Sequence, residues 1–144
     1  MNTGTSTDRL TVTRILLVDD QSVVRSCIRR IVETQADMVV VAEAEGGHIA
    51  MKLAIELQPD VILMDITMPG LNGIDATRAI LEEGSTAKIV VLSLHSDVQM
   101  VREVLRAGAH AYVVKNRVAR ELHSAVRAVL AGETFVSSDE AVTL

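Results

Sequence analysis

A chain of 144 residues, 49% of them hydrophobic and with a formal net charge of −5, fits one globular domain and excludes a surface that holds nucleic acid by overall basicity. Aromatic residues make up only 1%, so the core has to come from Val, Ile, Leu, Ala and Met, the composition of buried parallel strands covered by Ala-rich helices. The one cysteine, Cys27, excludes an internal disulfide and suits a reducing compartment.

Residues 1–13, MNTGTSTDRLTVT, are polar and Thr-rich without the apolar stretch of a secretory signal, and they read as a loose arm. No apolar run approaches the about 20 residues that cross a bilayer, so a cytoplasmic protein is expected. The folded domain is expected over residues 14–133. It opens with an apolar strand, Arg14–Val18 (RILLV), that ends in Asp19 and Asp20. Ser22–Thr34 follows as an amphipathic helix, with Val23, Val24, Cys27, Ile28, Ile31 and Val32 on one face. In that company Cys27 reads as a small buried hydrophobe. Met38–Ala42 is a second strand. Gly46–Gln58 is a second helix, stopped by Pro59; its Gly46-Gly47 start is no dinucleotide loop, since GxGxxG is absent. Val61–Met64 (VILM) is a third strand, ending at Asp65, and Asn72–Glu83 a third helix closed by Gly84. Lys88–Leu92 leads to Ser93. Asp97 then caps a helix that runs to Ala107, with Val98, Val101, Val104 and Leu105 at helical spacing. Ala111–Val114 leads to Lys115, and Val118–Ala131 is a fifth helix carrying Leu122, Ala125, Val126, Val129 and Leu130. Residues 134–144 read as a tail or the start of a linker.

Five strands alternating with five helices make a (βα)₅ doubly wound parallel sheet with helices on both faces. In such a sheet, ligands bind beyond the carboxyl ends of the strands. The polar residues of this chain fall there: Asp19 and Asp20 after the first strand, Asp65 after the third, Ser93 after the fourth, Lys115 after the fifth. With strand order 2-1-3-4-5 the first and third strands are neighbours, roughly 4.8 Å apart, and three carboxylates crowd together. Two carboxylates about 4 Å apart repel by roughly 4 kcal/mol at an effective dielectric near 20. Such a cluster needs a cation, and Mg²⁺ suits it: hard oxygen ligands, several retained waters and a coordination position left for a phosphate oxygen. Lys115 adds a fixed positive charge for the same anion and Ser93 a hydroxyl donor.

Asp19-Asp20, Asp65 in VILMDITMPGLNG, Ser93 in VVLSLHSD and Lys115 in GAHAYVVKN resemble the receiver domains of response regulators, with a flavodoxin-like (CheY-like) fold. The ending GAHAYVVKN…ELHSAVRAVLAGETFVSS is most similar to the LuxR/NarL-type transcription factors of that family. The resemblance implies a phosphoprotein of two-component signalling. Asp65 takes the phosphoryl group from a sensor histidine kinase in a signalling domain rather than an enzyme, with intrinsic phosphotransfer and self-dephosphorylation as the catalytic accompaniments the resemblance implies. Asp20 ligates Mg²⁺ directly, Asp19 through water, and Thr67 through its backbone carbonyl. Lys115 pairs with the phosphoryl oxygens. Ser93 and Tyr112 form the switch pair, the hydroxyl drawn toward the phosphoryl group as the ring turns inward. Many relatives follow the lysine with a cis-proline. Here Asn116 follows, for which a cis bond costs about 2.5–4 kcal/mol, and the sequence leaves that peptide open.

Relatives of this type continue into a helix-turn-helix domain, so the chain reads either as the receiver of a transcription regulator or as a stand-alone receiver acting through protein contacts. Residues 1–144 by themselves are acidic, carry no recognition-helix module and are not expected to bind DNA. Arg25, Arg29 and Arg30 on the first helix, with Arg120 and Arg127 on the fifth, read as solvated faces or part of a homodimer or partner surface. The face made by the fourth helix, fifth strand and fifth helix is the alternative dimer surface. His95 reads as a loop residue or a group at the mouth of the site; His48, His110 and His123 have no ligand spacing. Two other classes share parts of the pattern. A haloacid-dehalogenase-type phosphatase needs a second Asp two positions after its nucleophile, where Thr67 stands, and a flavodoxin-like FMN carrier needs aromatic walls, against one Phe and one Tyr.

Overall fold

The computed structural model describes residues 11–95 and 97–137. In chain order they form β1 (Thr13–Val18), α1 (Ser22–Val32), β2 (Met38–Ala44), α2 (Gly47–Leu57), β3 (Val61–Asp65), α3 (Gly73–Glu82), β4 (Lys88–Ser93), α4 (Val98–Arg106), β5 (Ala111–Val114), a single 3₁₀ turn (Lys115–Arg117), α5 (Val118–Leu130) and β6 (Phe135–Val136). The sheet is parallel throughout, in the order β2-β1-β3-β4-β5-β6.

The uninterrupted apolar runs are explained by burial on both faces. Along β1, Ile15 and Leu17 face one layer while Leu16 and Val18 face the other. The first layer is closed by α1 and α5 through Ile28, Val32, Leu122, Val126 and Val129. The second is closed by α2, α3 and α4 through Ala50, Ala54, Ile80, Val101 and Val104. Small residues on α2 let the helix lie close to the sheet, where a strand's period-2 side chains fill the space between.

The expected order 2-1-3-4-5 holds, with two additions. β1 begins at Thr13, which pairs with Met38. β6, in the stretch expected as tail, pairs with β5 through Ala111↔Phe135 and Tyr112↔Val136. Residues 1–10 of the expected arm and 138–144 of the expected tail lie outside the described residues. Helix ends follow local chemistry: the Asn72 side chain accepts from the N–H groups of Ile74 and Asp75, and Asp97 from that of Gln99.

On α1 the expected apolar face is too broad. Ile28 and Val32 are buried, but Val23 is 74% exposed and Cys27 is exposed as well, not a core residue. Positions 24, 28, 31 and 32 already span the strip that one sheet face covers, and 23 and 27 lie on its outer flank. The expected basic face also divides. Arg29 and Arg25 pair with Glu43 of β2, and Arg127 of α5 with Asp37, so these cations tie elements of one chain together.

Candidate functional site

The register of the sheet assembles the site. Val18 at the end of β1 pairs with Met64 of β3, so Asp19 and Asp20 emerge beside Asp65. Carboxylate oxygens of Asp19, Asp20 and Asp65 all lie within 4.8 Å of one another. Asp19 and Asp65 are buried and Asp20 is exposed. Lys115, directly after β5, places its Nζ 3.0 Å from Asp65 Oδ1 and 3.0 Å from Asp19 Oδ2. Every peptide bond among the described residues is trans, the Lys115–Asn116 bond included; the chain there turns at once into the short 3₁₀ segment.

The loop after β3 is fitted closely. Gly73 at the start of α3 leaves no room for a side chain, since a Cβ there would meet the Asp65 carbonyl oxygen at 2.1 Å. Its N–H donates to the Ile66 carbonyl (3.1 Å). The Thr67 N–H reaches Asp65 Oδ1 at 3.4 Å. After β1, the Gln21 N–H donates to Asp19 Oδ1 (2.9 Å), and Nη1 of Arg25 to the Asp19 carbonyl (2.7 Å). A cleft of about 440 Å³ opens over the cluster, lined by Asp20, Asp65, Thr67 and Lys115 together with Gln21, Val24, Met68, Pro69 and Leu94.

Charge balance follows from this geometry. Burial, the largest influence, pushes the Asp65 carboxyl above its ordinary range; Lys115 opposes this and Asp19 adds to it. Burial pulls the Lys115 ammonium down, but its hydrogen bonds to Asp65 and Asp19 more than compensate and hold it above its ordinary value. Two buried carboxylates and one ammonium leave an excess of negative charge with hard oxygen donors. That donor set suits Mg²⁺ better than a soft transition metal.

Ser93 stands apart from the cleft wall. Its side chain is fully buried at the end of β4, and its oxygen accepts from the His95 N–H (3.1 Å). Tyr112 is likewise fully buried, already inside the fold, with its hydroxyl donating to the His95 carbonyl. Burial raises the phenol pKa, and a hydrogen bond with Ser93 counteracts it. Ser93, His95 and Tyr112 thus form one clasp between β4 and β5. The imidazole of His95 is not among the groups lining the cleft; its exposed neighbour Leu94 is. Met68, which the sequence reads as a packing residue, is buried and also lines this cleft; Leu94 and Gln21 carry no such signal in the sequence, and only the adjacency of Leu94 to Ser93 hints at its place. Two histidines are accounted for locally. His110 Nδ1 accepts from the Ile89 N–H (3.0 Å), and His123 Nε2 lies 2.7 Å from the Ile31 carbonyl oxygen.

A sequence model described as Response regulator receiver domain matches residues 15–127. The chain is 43% identical over 125 residues to the Transcriptional regulatory protein LiaR of Bacillus subtilis, covering 87% of this chain and 59% of that protein. It is 40% identical over 125 residues to the Response regulator UvrY of Escherichia coli, covering 87% and 57%. The chain thus spans a little over half the length of these curated relatives. Among solved structures, a two-component response regulator of the LuxR family from Aurantimonas superposes with a TM-score of 0.86 at 39% identity, covering 90% of this chain and 93% of that one. The response regulator domain of Thermotoga maritima CheB superposes with a TM-score of 0.78 at 35% identity, covering 83% and 97%.

Proposed function

The chain belongs to the family of response regulator receiver domains, and from that premise we propose that it takes a phosphoryl group from a sensor histidine kinase onto Asp65 in the presence of Mg²⁺. One observation carries the reading: three carboxylates converge within 4.8 Å at the carboxyl end of the sheet, with the Lys115 ammonium 3.0 Å from Asp65. Asp20, Asp65 and the Thr67 backbone carbonyl would hold Mg²⁺, with Asp19 acting through water. Bound there, Mg²⁺ supplies charge neutralisation for the incoming phosphate oxygens.

An oxygen of Asp65 attacks phosphorus in line with the bond to the donor. The new O–P bond forms as the donor's P–N bond breaks, and the electron pair leaves with the imidazole nitrogen of the kinase histidine. Lys115 exchanges its contact with Asp65 for one with a phosphoryl oxygen, which keeps the added charge paired. The Ser93 hydroxyl reorients toward the same group, and Tyr112 shares the space around it. The LuxR-family likeness supports a role in transcription regulation through a longer protein, in the cytoplasm, with self-dephosphorylation ending the signal. Homodimer formation through α1 and α5, or through α4, β5 and α5, would carry that output.

Calorimetric titration with Mg²⁺ tests the metal assignment. Asp20→Ala should weaken binding more than Asp19→Ala, since a direct ligand matters more than one acting through water. The reverse order, or binding unchanged in both variants, contradicts it.

A further inference from the structure

We infer that Arg25 is a positioning residue for the acidic cluster: its guanidinium clamps the Asp19 carbonyl and thereby aims the Asp20 carboxylate at the metal position. The inference rests on the Mg²⁺-dependent reading of the site. Asp20 is exposed, and no hydrogen bond or ion pair among the described residues holds its side chain. Its direction therefore depends on the backbone of residues 19–21. That backbone is fixed from three sides. The Asp19 N–H donates to Ala44 of β2 (3.0 Å), Asp19 Oδ1 accepts from Gln21, and the Asp19 carbonyl accepts from Arg25 at 2.7 Å. The last bond sets the plane of the Asp19–Asp20 peptide itself.

Arg25 is held for this task. Its Nε donates to Glu43 Oε1 (2.8 Å), and Glu43 Oε2 accepts from Arg29 Nη1 (2.8 Å). Its side chain is 14% exposed, far less than the 46% of Arg29, which touches only carboxylates. A planar fork satisfies a carboxylate on one edge and a carbonyl on another at the same time, which a lysine ammonium on a flexible stem does not reproduce. Electrostatics alone predicts the opposite of a helper. A cation next to the cluster repels Mg²⁺, so its removal should tighten metal binding; removal of an aiming device should loosen it.

Calorimetric Mg²⁺ titration separates the two, with Arg25→Gln, Arg25→Lys and Glu43→Gln beside the wild type. Arg25→Gln should weaken Mg²⁺ binding on the order of ten-fold, and Arg25→Lys should remain weakened although the charge is kept. Glu43→Gln should lose much less, because the carbonyl clamp stays in place. Labelling with acetyl phosphate adds a second readout: Arg25→Gln should need more Mg²⁺ to reach half-maximal rate, yet approach the wild-type rate at saturation. Wild-type or tighter Mg²⁺ binding in Arg25→Gln overturns the assignment, as does full rescue in Arg25→Lys or an equal loss in Glu43→Gln. A wild-type protein that binds no Mg²⁺ overturns the underlying reading of the site, and this inference with it. If Arg25→Gln fails to fold, the comparison of Arg25→Lys with Glu43→Gln decides alone, equal affinities counting against the clamp.

Discussion

The Lys115 ammonium sits 3.0 Å from Asp65, and the same nitrogen sits 3.0 Å from Asp19, so one cation serves two buried carboxylates. Lys115→Ala should therefore leave both uncompensated. The expected loss is about 2 kcal/mol, below the 3–5 kcal/mol of a fully enclosed pair because the cleft admits water. Urea unfolding in EDTA measures it. Added Mg²⁺ should recover more stability in the variant than in the wild type, since the carboxylates regain a cation. Equal stability of the two proteins in EDTA would contradict the electrostatic account.

Ser93 and Tyr112 should report phosphorylation together. Both are fully buried and share His95 as a partner. A phosphoryl group at Asp65 offers new acceptor oxygens to the Ser93 hydroxyl, which biases an equilibrium already present between two arrangements of this clasp. Ser93→Ala should still be phosphorylated on Asp65 but show a blunted response along α4 and β5. Amide shifts over Val98–Arg106 and at Tyr112, with and without beryllofluoride, read it. A full wild-type shift pattern in Ser93→Ala would break the proposed coupling.

His110 should make stability depend on pH. Its Nδ1 accepts a backbone N–H, which requires a neutral ring, and burial, helped by nearby Lys88, lowers its pKa below 6.5. The unfolded chain then binds the proton more readily than the folded one. The contribution is complete above pH 6.5 and is lost as pH falls through the lower folded value. His110→Asn keeps an acceptor at a similar reach without the titration. Its urea midpoint should fall less than that of the wild type between neutral pH and pH 5, and parallel curves would show that His110 plays no part.

Ser137 fastens the end of the described chain. It is 2% exposed, its N–H donates to the Tyr112 carbonyl, its oxygen accepts from the Val114 N–H (2.8 Å), and it donates to Glu121 (2.7 Å). Ser137→Ala strands the buried Val114 N–H, at a cost of about 1–3 kcal/mol. Thermal unfolding checks the loss, and amide exchange at Val114 should speed up; unchanged exchange would mean the bond contributes nothing.

The sheet is readable because β1, β3, β4 and β5 each hold an uninterrupted apolar run that leads into Asp19, Asp65, Ser93 or Lys115. β6 was not readable: Phe135–Val136 is two residues long and has no pattern of its own, only the open edge of β5 to pair with. The exposure of Val23 and Cys27 was hidden because periodicity gives the direction of a helix's apolar face and not the width of the surface it meets. Arg25 looked like any surface arginine. Its work depends on Glu43, 18 residues away on β2, and on a carbonyl that carries no sequence signal. Ser93 was placed correctly at a strand end, but nothing in its spacing tells that its hydroxyl faces inward rather than lining the cleft.

Asp65 is proposed to accept a phosphoryl group at a Mg²⁺-assisted carboxylate cluster. Intact-mass measurement after incubation with acetyl phosphate tests it most directly, on wild type and Asp65→Ala, with Mg²⁺ and with EDTA. One added phosphoryl group is expected on the wild type with Mg²⁺, little or none in EDTA, and none on Asp65→Ala. A phosphorylated Asp65→Ala protein, or full labelling of the wild type in EDTA, would contradict it.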